Sequence, residues 1–283
     1  MDDLTKIFRM GPGGEGAHWY APSPDGALCA YQIEMTSKPG QWRDCNLRDA
    51  RKHNLYPSVS KINGQLDKPG LTRWLCNQFA LATKTCPGLD EIKDEASWLA
   101  AVREDANAQS KKAREFGTAI HASVENAIET HKADSEEHSA FQSAAFEALE
   151  EISGEDRHSI ITGQWRVEEA VTSHWGYGGR VDCYHPDGFI VDFKSSEFDA
   201  EKAQTMKVYP EQGRALAAYR EALGMPDTAR CFNVFLSRDH PGLWKVIEHP
   251  LPKLAHYLED FLALTYRWQV ESKVERLALP GLK

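Results

Sequence analysis

The chain has 283 residues, 41% hydrophobic and 27% charged, with a formal net charge of −9. That is apolar content enough for a sizeable core, and the acidic balance excludes a generally basic nucleic-acid coat. No apolar run is long enough for a membrane helix, and the opening MDDLTKIFRM lacks the charge pattern of a signal or Arg-rich transit peptide, so a cytoplasmic compartment is expected. Cys29, Cys45, Cys76, Cys86, Cys183 and Cys231 include no C-x2-C pair, which predicts reduced thiols and no zinc site.

Residues 1–54 are rich in Gly, Pro and polar residues, and GPGGEG and PSPDG are turn signals, so an irregular or small-strand extension is expected. Residues 57–104 read as helical, with Ser58 or Ser60 able to cap one start and LDKPGLTRWLCNQFALAT holding a further helix. From about Asn107 to His131 there is no proline, and Phe116, Ile120, Val124 and Ile128 recur at helical spacing, which predicts an amphipathic helix. Gly117, His121 and Glu125 stand every fourth residue and form one ridge on it. The small Gly117 admits a neighbouring backbone or ligand. A neutral imidazole at His121 can be a metal ligand that Glu125 orients, although a lone helical histidine is more often a bystander. The acidic stretch 134–156 reads as a solvated helix and loop. Without a repeat or long linker, the chain divides into an extension with accessory helices (1–104) and a core with a carboxyl-terminal helix (105–283), forming one compact unit.

The segment VDCYHPDGFIVDFKSS, residues 181–196, reads as a hairpin into which charge has been placed. Pro186 and Asp187 suit the central positions of a type I turn and Gly188 the following left-handed residue, making a three-residue loop with a bulge. Under that loop His185 faces Phe189, Asp182 falls opposite Asp192, and Lys194 shares their face. The rival two-residue turn at Asp187-Gly188 would shift the pairing by one and turn Asp182 away. Two carboxylates about 4 Å apart repel by roughly 1 kcal/mol in water and about 4 kcal/mol at an effective dielectric of 20. Either a hard divalent cation offsets this, or Lys194 neutralises the pair as a structural ion cluster. QWRVEEAVTS upstream reads as a strand, residues 210–224 as a helix and ARCFNVFLS as another strand, a mixed α/β pattern. A last helix, about 253–273, carries Leu254, Tyr257, Leu258, Phe261, Leu264 and Trp268 on one stripe, suited to its own sheet or to an oligomer contact.

Taken in order, Gly117-x3-His121-x3-Glu125, Glu168 in WRVEEAVTS, GYGGRVD ending at Asp182, IVDFKSS with Asp192 and Lys194, and a helix with Gln212 and Tyr219 resemble the RecB-like, phage-type exonuclease branch of the PD-(D/E)XK nuclease superfamily, similar to the mitochondrial genome maintenance exonuclease. The resemblance spans roughly residues 57–240 and includes LYPSVSKI. It implies a restriction-endonuclease-like core of helix, three antiparallel strands, helix and strand, with an amino-terminal helical elaboration. It implies that His121, Asp182, Asp192 and the backbone carbonyl of Phe193 hold Mg²⁺ or Mn²⁺, and that Lys194 orients or activates the attacking water. Glu168 is preferred over Glu169 by its spacing to Asp182. The family places its glutamine four residues before the tyrosine; here that residue is Ala215, and Gln212, seven before Tyr219, is the substitute. Some relatives carry an iron–sulfur cluster on late cysteines, but none follows Cys231, so no cluster is expected.

The activity implied is metal-dependent hydrolysis of DNA from its ends, in phage-type recombination, replication or repair, leaving 5′-phosphates. A structure-specific or restriction-type endonuclease on the same core, or an inactive DNA-binding module, stays open. Lys111, Lys112 and Arg114, with Arg214 and Arg220, are expected to track phosphates, because a local basic groove suffices in an acidic chain. Trp74 is a candidate base platform, against the commoner outcome of a buried tryptophan. Partners implied by analogy are DNA ends and a single-strand annealing or other recombination protein; no membrane is expected.

Overall fold

The computed structural model describes residues 4–11, 18–23, 26–130 and 138–274. GPGGEG beyond Gly11, the centre of PSPDG, the end of the histidine helix at His131 and the start of the acidic stretch lie outside the described residues. The chain divides into two compact units, Met1–Gln65 with Ser123–Lys283, and Leu66–Ala122. The boundaries fall after Gln65 and after Ala122 and not at residue 104; both residue 104 and the second boundary lie within one long helix. The run EASWLAAVREDANAQSKKAREF contains neither proline nor glycine, so the helix begins at Glu95, a full three turns before the predicted start.

The first unit opens with α1 (Leu4–Ile7), β1 (Phe8–Arg9), β2 (Trp19–Ser23), β3 (Gly26–Cys29), β4 (Gln32–Glu34), β5 (Trp42–Asp44), α2 (Leu47–His53), β6 (Tyr56–Pro57) and α3 (Val59–Asn63). The strands make two small sheets, β1-β4-β5 and β3-β2-β6. Ser58 is the cap of α3, accepting the Lys61 N–H at 3.1 Å, and it forms a parallel bridge to Gly178 in the main sheet. The LYPSVSKI segment is thereby fixed to the core.

In the second unit, α4 (Pro69–Thr85) starts on a proline, whose missing N–H costs nothing in a first turn. It packs through Ala82 and Phe79 against Val102, Ala106 and Trp98 of α5 (Glu95–Thr130), with Leu89 between them.

The rest of the first unit follows as α6 (Ser139–Ser153), α7 (Arg157–Thr162), β7 (Arg166–Ser173), β8 (Tyr177–His185), β9 (Phe189–Ser196), α8 (Ala200–Thr205), α9 (Pro210–Ala222), β10 (Arg230–Ser237), β11 (Trp244–His249) and α10 (Leu251–Glu271). The main sheet has the order β11-β10-β9-β8-β7. β7, β8 and β9 are antiparallel neighbours, α9 crosses over, and β10 returns parallel to β9. This is a mixed α/β, restriction-endonuclease-like core. The inner strand β10 is buried along almost its whole length, the pattern of a strand covered on both faces.

On one side, Leu216 and Ala217 of α9 and Leu254 and Tyr257 of α10 pack with Val181, Ile190 and Cys231 of the sheet. The stripe on α10 therefore serves the chain's own core. Phe261 meets Tyr177 edge-on at 4.9 Å, and Trp268 meets Trp19 at 5.9 Å. Each such fully buried side chain contributes roughly 1.5–3 kcal/mol. The acidic stretch departs from expectation. Phe141, Ala144, Ala145, Ala148, Leu149 and Ile152 of α6 are buried, because the carboxylates of Glu147 and Glu151 fall on the opposite, exposed face. Among the described residues, no helix is long and apolar enough to cross a membrane.

Candidate active site

The hairpin between β8 and β9 sets the geometry. Gly188 has a φ of +109°, open to glycine and costly for other residues, and its N–H reaches His185 O at 3.0 Å around Pro186 and Asp187. His185 pairs with Phe189, Tyr184 with Ile190, and Cys183 with Val191. This is the register of the three-residue loop, and it excludes the two-residue alternative. The ladder ends there. At the next step Asp182 stands opposite Asp192, and the Asp182 Oδ2 accepts the Phe193 N–H at 2.9 Å. A side-chain carboxylate has replaced a backbone partner at the point where the strands part.

Lys194 Nζ lies 2.6 Å from Asp192 Oδ2 and 3.1 Å from the Phe193 carbonyl oxygen. Burial works against its charge, but the Asp192 and Asp182 carboxylates more than offset it and hold the ammonium above its ordinary value. Tyr219 of α9 joins them. Burial, then the Asp182 and Asp192 carboxylates, push its hydroxyl far up, so it stays a neutral donor. GYGGRVD explains how the ring gets there: a Cβ on Gly179 would stand 2.5 Å from the Tyr219 ring, and one on Gly178 would stand 2.6 Å from Tyr20 Cβ. Two aromatic residues approach β8 only because it carries no side chains at these positions. Glu125 lies near as well, since burial and the Asp182 and Glu125 carboxylates together push the Cys183 thiol well up.

Two residues here escaped the sequence reading. Asn233 of β10 donates from Nδ2 to Asp192 Oδ2 at 2.6 Å, and its Oδ1 lies 2.7 Å from His249 Nε2. Both are buried. The signal was one amide interrupting the apolar run CFNVFL, and nothing local to His249 distinguished it.

The remaining candidates fall as follows. Glu168 has a φ of +51°, in the left-handed region, where the ladder passes from Val167–Cys183 to Glu169–Val181, so that it stands opposite Asp182. A non-glycine residue held there stores roughly 1–3 kcal/mol of strain, a feature that clusters at functional sites. Its carboxylate pairs with Arg180. Glu169 accepts the Tyr184 hydroxyl at 2.6 Å instead. Gln212 does not reach the centre through its carbonyl: Oε1 caps α9 by accepting the Tyr209 N–H at 2.8 Å, because the residue sits at the third position of the helix. Arg214 is likewise corrected. It is buried, with Nε on Asn63 Oδ1 at 2.9 Å and Nη1 on Asp260 Oδ2 at 2.8 Å. Its helical position points into the packing of α9 on α10, away from solvent. Arg220 is buried too, donating to the Asp227 carbonyl. Gly117, His121, Lys111, Lys112 and Arg114 belong to the second unit. His121 is half-buried; Lys111, Lys112 and Arg114 are exposed, and Lys111 lies 3.9 Å from Glu115. Trp74 is also at the surface.

Among the described residues no three His, Cys, Asp or Glu side chains stand together as a metal cage. A hard cation such as Mg²⁺ does not require one, since one or two carboxylates suffice beside water and substrate phosphate. The donor chemistry fits: Asp192 Oδ2 and the Phe193 carbonyl already converge on one cation, the Lys194 ammonium.

No family model matches the chain and no curated protein matches it. Among solved structures it is similar to LHK-Exo in complex with dAMP, with 16% identity, a TM-score of 0.31, and coverage of 56% of this chain and 94% of that one. The alkaline exonuclease LHK-Exo from Laribacter hongkongensis gives 15%, 0.24, 57% and 100%. SSO0001 gives 12%, 0.23, 50% and 67%. These likenesses are slight and partial; the centre is defined by its own side chains.

Proposed function

We propose that the protein is a divalent-metal-dependent deoxyribonuclease that hydrolyses phosphodiester bonds from DNA ends. The observation that carries this is the convergence of the Asp182 and Asp192 carboxylates, the Phe193 carbonyl and the Lys194 ammonium where β8 and β9 separate. The Lys194 side chain is 37% exposed, so its ammonium is within reach of a substrate phosphate. The end-directed form rests on the sequence resemblance.

Asp182, Asp192 and the Phe193 carbonyl would hold Mg²⁺ or Mn²⁺, which when bound supplies Lewis acidity and an acidified water. Lys194 places a fixed positive charge where negative charge develops on the phosphate, and such a preorganised donor is worth roughly 10²–10³ in rate. It can also hold the attacking water by donating one N–H while Asp192 retains another. Tyr219, held neutral by burial and by the Asp182 and Asp192 carboxylates, adds no negative charge to the centre. Phe193, by giving its N–H to Asp182, locks the first carboxylate against rotation.

The test is time-resolved cleavage of end-labelled linear single- and double-stranded DNA beside covalently closed circles, with Mg²⁺, Mn²⁺ or EDTA. Wild type should consume linear DNA only, and EDTA, Asp192→Ala or Lys194→Ala should each abolish it. Cut circles would identify an endonuclease on the same centre. Silence under every condition would reject catalysis in favour of a binding module.

A further inference from the structure

From the candidate centre inward, a polar chain runs Lys194 Nζ, Asp192 Oδ2, Asn233 Nδ2 and Oδ1, His249 Nε2, with links of 2.6, 2.6 and 2.7 Å. Asn233 sits beside Asp192 in the parallel β9–β10 register, and His249, the last residue of β11, pairs with Cys231, two residues from Asn233. Asn233 is wholly buried and His249 is 1% exposed. An asparagine amide can face a carboxylate in two ways. With Nδ2 toward Asp192 it donates; turned over, its oxygen would meet the carboxylate oxygen and repel it.

Only the first orientation leaves Oδ1 toward His249, and an acceptor there requires the proton on Nε2. His249 Nδ1 then carries a lone pair, and it is buried without a hydrogen-bonding partner among the described residues. A polar atom left orphaned in a core costs roughly 1–3 kcal/mol. A leucine at residue 249 would avoid that cost but leave the buried Asn233 Oδ1 without its donor, so the contribution of the imidazole lies in its other nitrogen. Tyr257, edge-on to the imidazole at 6.1 Å, closes the ring in. It can lie there because residue 213 is a glycine, where a Cβ would come within 2.1 Å of the Tyr257 ring.

We propose that Asn233, held in one orientation by the Nε2–H tautomer of His249, is a positioning residue that fixes the Asp192 carboxylate toward Lys194 and the cation site. This rests on the reading of Asp182, Asp192 and Lys194 as the catalytic centre. Outer-shell partners of metal-binding carboxylates typically govern about 10–100-fold in metal affinity or activity.

Two measurements test it. The ¹⁵N spectrum of the wild-type imidazole should show His249 as the Nε2–H tautomer at neutral pH; an Nδ1–H tautomer would overturn the proposal without any variant being made. Next, Mn²⁺ titration calorimetry and end-labelled DNA cleavage are compared for wild type, His249→Phe and His249→Gln, with folding checked by circular dichroism. His249→Phe should bind Mn²⁺ and turn over at least ~10-fold less well with the KM for DNA unchanged. The glutamine variant, which can still donate to Asn233, should recover most of the loss. A folded His249→Phe with wild-type Mn²⁺ affinity and kcat would overturn positioning. A wild type that neither binds Mn²⁺ nor cuts DNA would reject the nuclease reading instead. The tautomer would then decide the orientation of Asn233 on its own, so the two failures are separable.

Discussion

Gly179 of β8 and Tyr219 of α9 are in such close contact that a single added methyl at residue 179 would stand 2.5 Å from the ring. Gly179→Ala must therefore displace Tyr219 from the Asp182 and Asp192 carboxylates. Overpacking of this kind costs about 1–3 kcal/mol. Urea unfolding should show that loss for Gly179→Ala and a smaller one for Tyr219→Phe, while both variants cleave DNA more slowly. A Gly179→Ala protein with unchanged stability and rate would mean that the ring is free to move.

Lys194 and Asp192 should separate in their effects although they touch. Lys194→Met removes a cation but no metal donor, so Mn²⁺ binding should persist or strengthen while cleavage falls by roughly 10²–10³. Asp192→Ala should lose both. Titration calorimetry beside single-turnover cleavage makes the comparison, and equal loss of Mn²⁺ binding in the two variants would contradict the separation.

Burial, reinforced by the Lys253 ammonium, pushes the His249 imidazole down to about 4. The folded protein thus holds this histidine neutral at pH values where the unfolded chain, protonating near 6.5, has bound a proton. Stability is full above pH 6.5 and is lost as the pH falls toward 4, by roughly 3 kcal/mol in all. Urea midpoints measured from pH 7.5 to pH 4.5 should fall more steeply for wild type than for His249→Gln. Parallel curves would show that the imidazole takes up its proton in the folded state at the ordinary pH.

Arg214 is tied to Asn63 and Asp260, so Arg214→Ala should act on stability and leave the salt dependence of DNA binding alone. Asp260 is half-exposed, which limits the penalty of the broken pair to about 1–3 kcal/mol. A phosphate contact would instead reduce the slope of log affinity against log salt by about one. Filter binding at several salt concentrations distinguishes the two.

The sequence by itself determined the hairpin and much of the core. Pro186, Asp187 and Gly188 favour the three-residue loop over the two-residue turn, and the register of that loop brings Asp182 against Asp192 and Lys194. The order of β7, β8, β9, α9 and β10 was also legible, because period-two and period-3.6 patterns are local properties of the chain. What lay beyond it was every choice that depends on which face of an element is covered. Gln212 spends its carbonyl on a helix cap, Arg214 turns inward, and α6 buries an apolar face that its many carboxylates concealed. Asn233 and His249 lie 41 and 57 residues from Asp192 in the sequence. They meet it only because β10 lies parallel beside β9 and β11 beside β10. Strand pairing across a crossover is a tertiary decision, and it places a buried amide where no local pattern would have called for one.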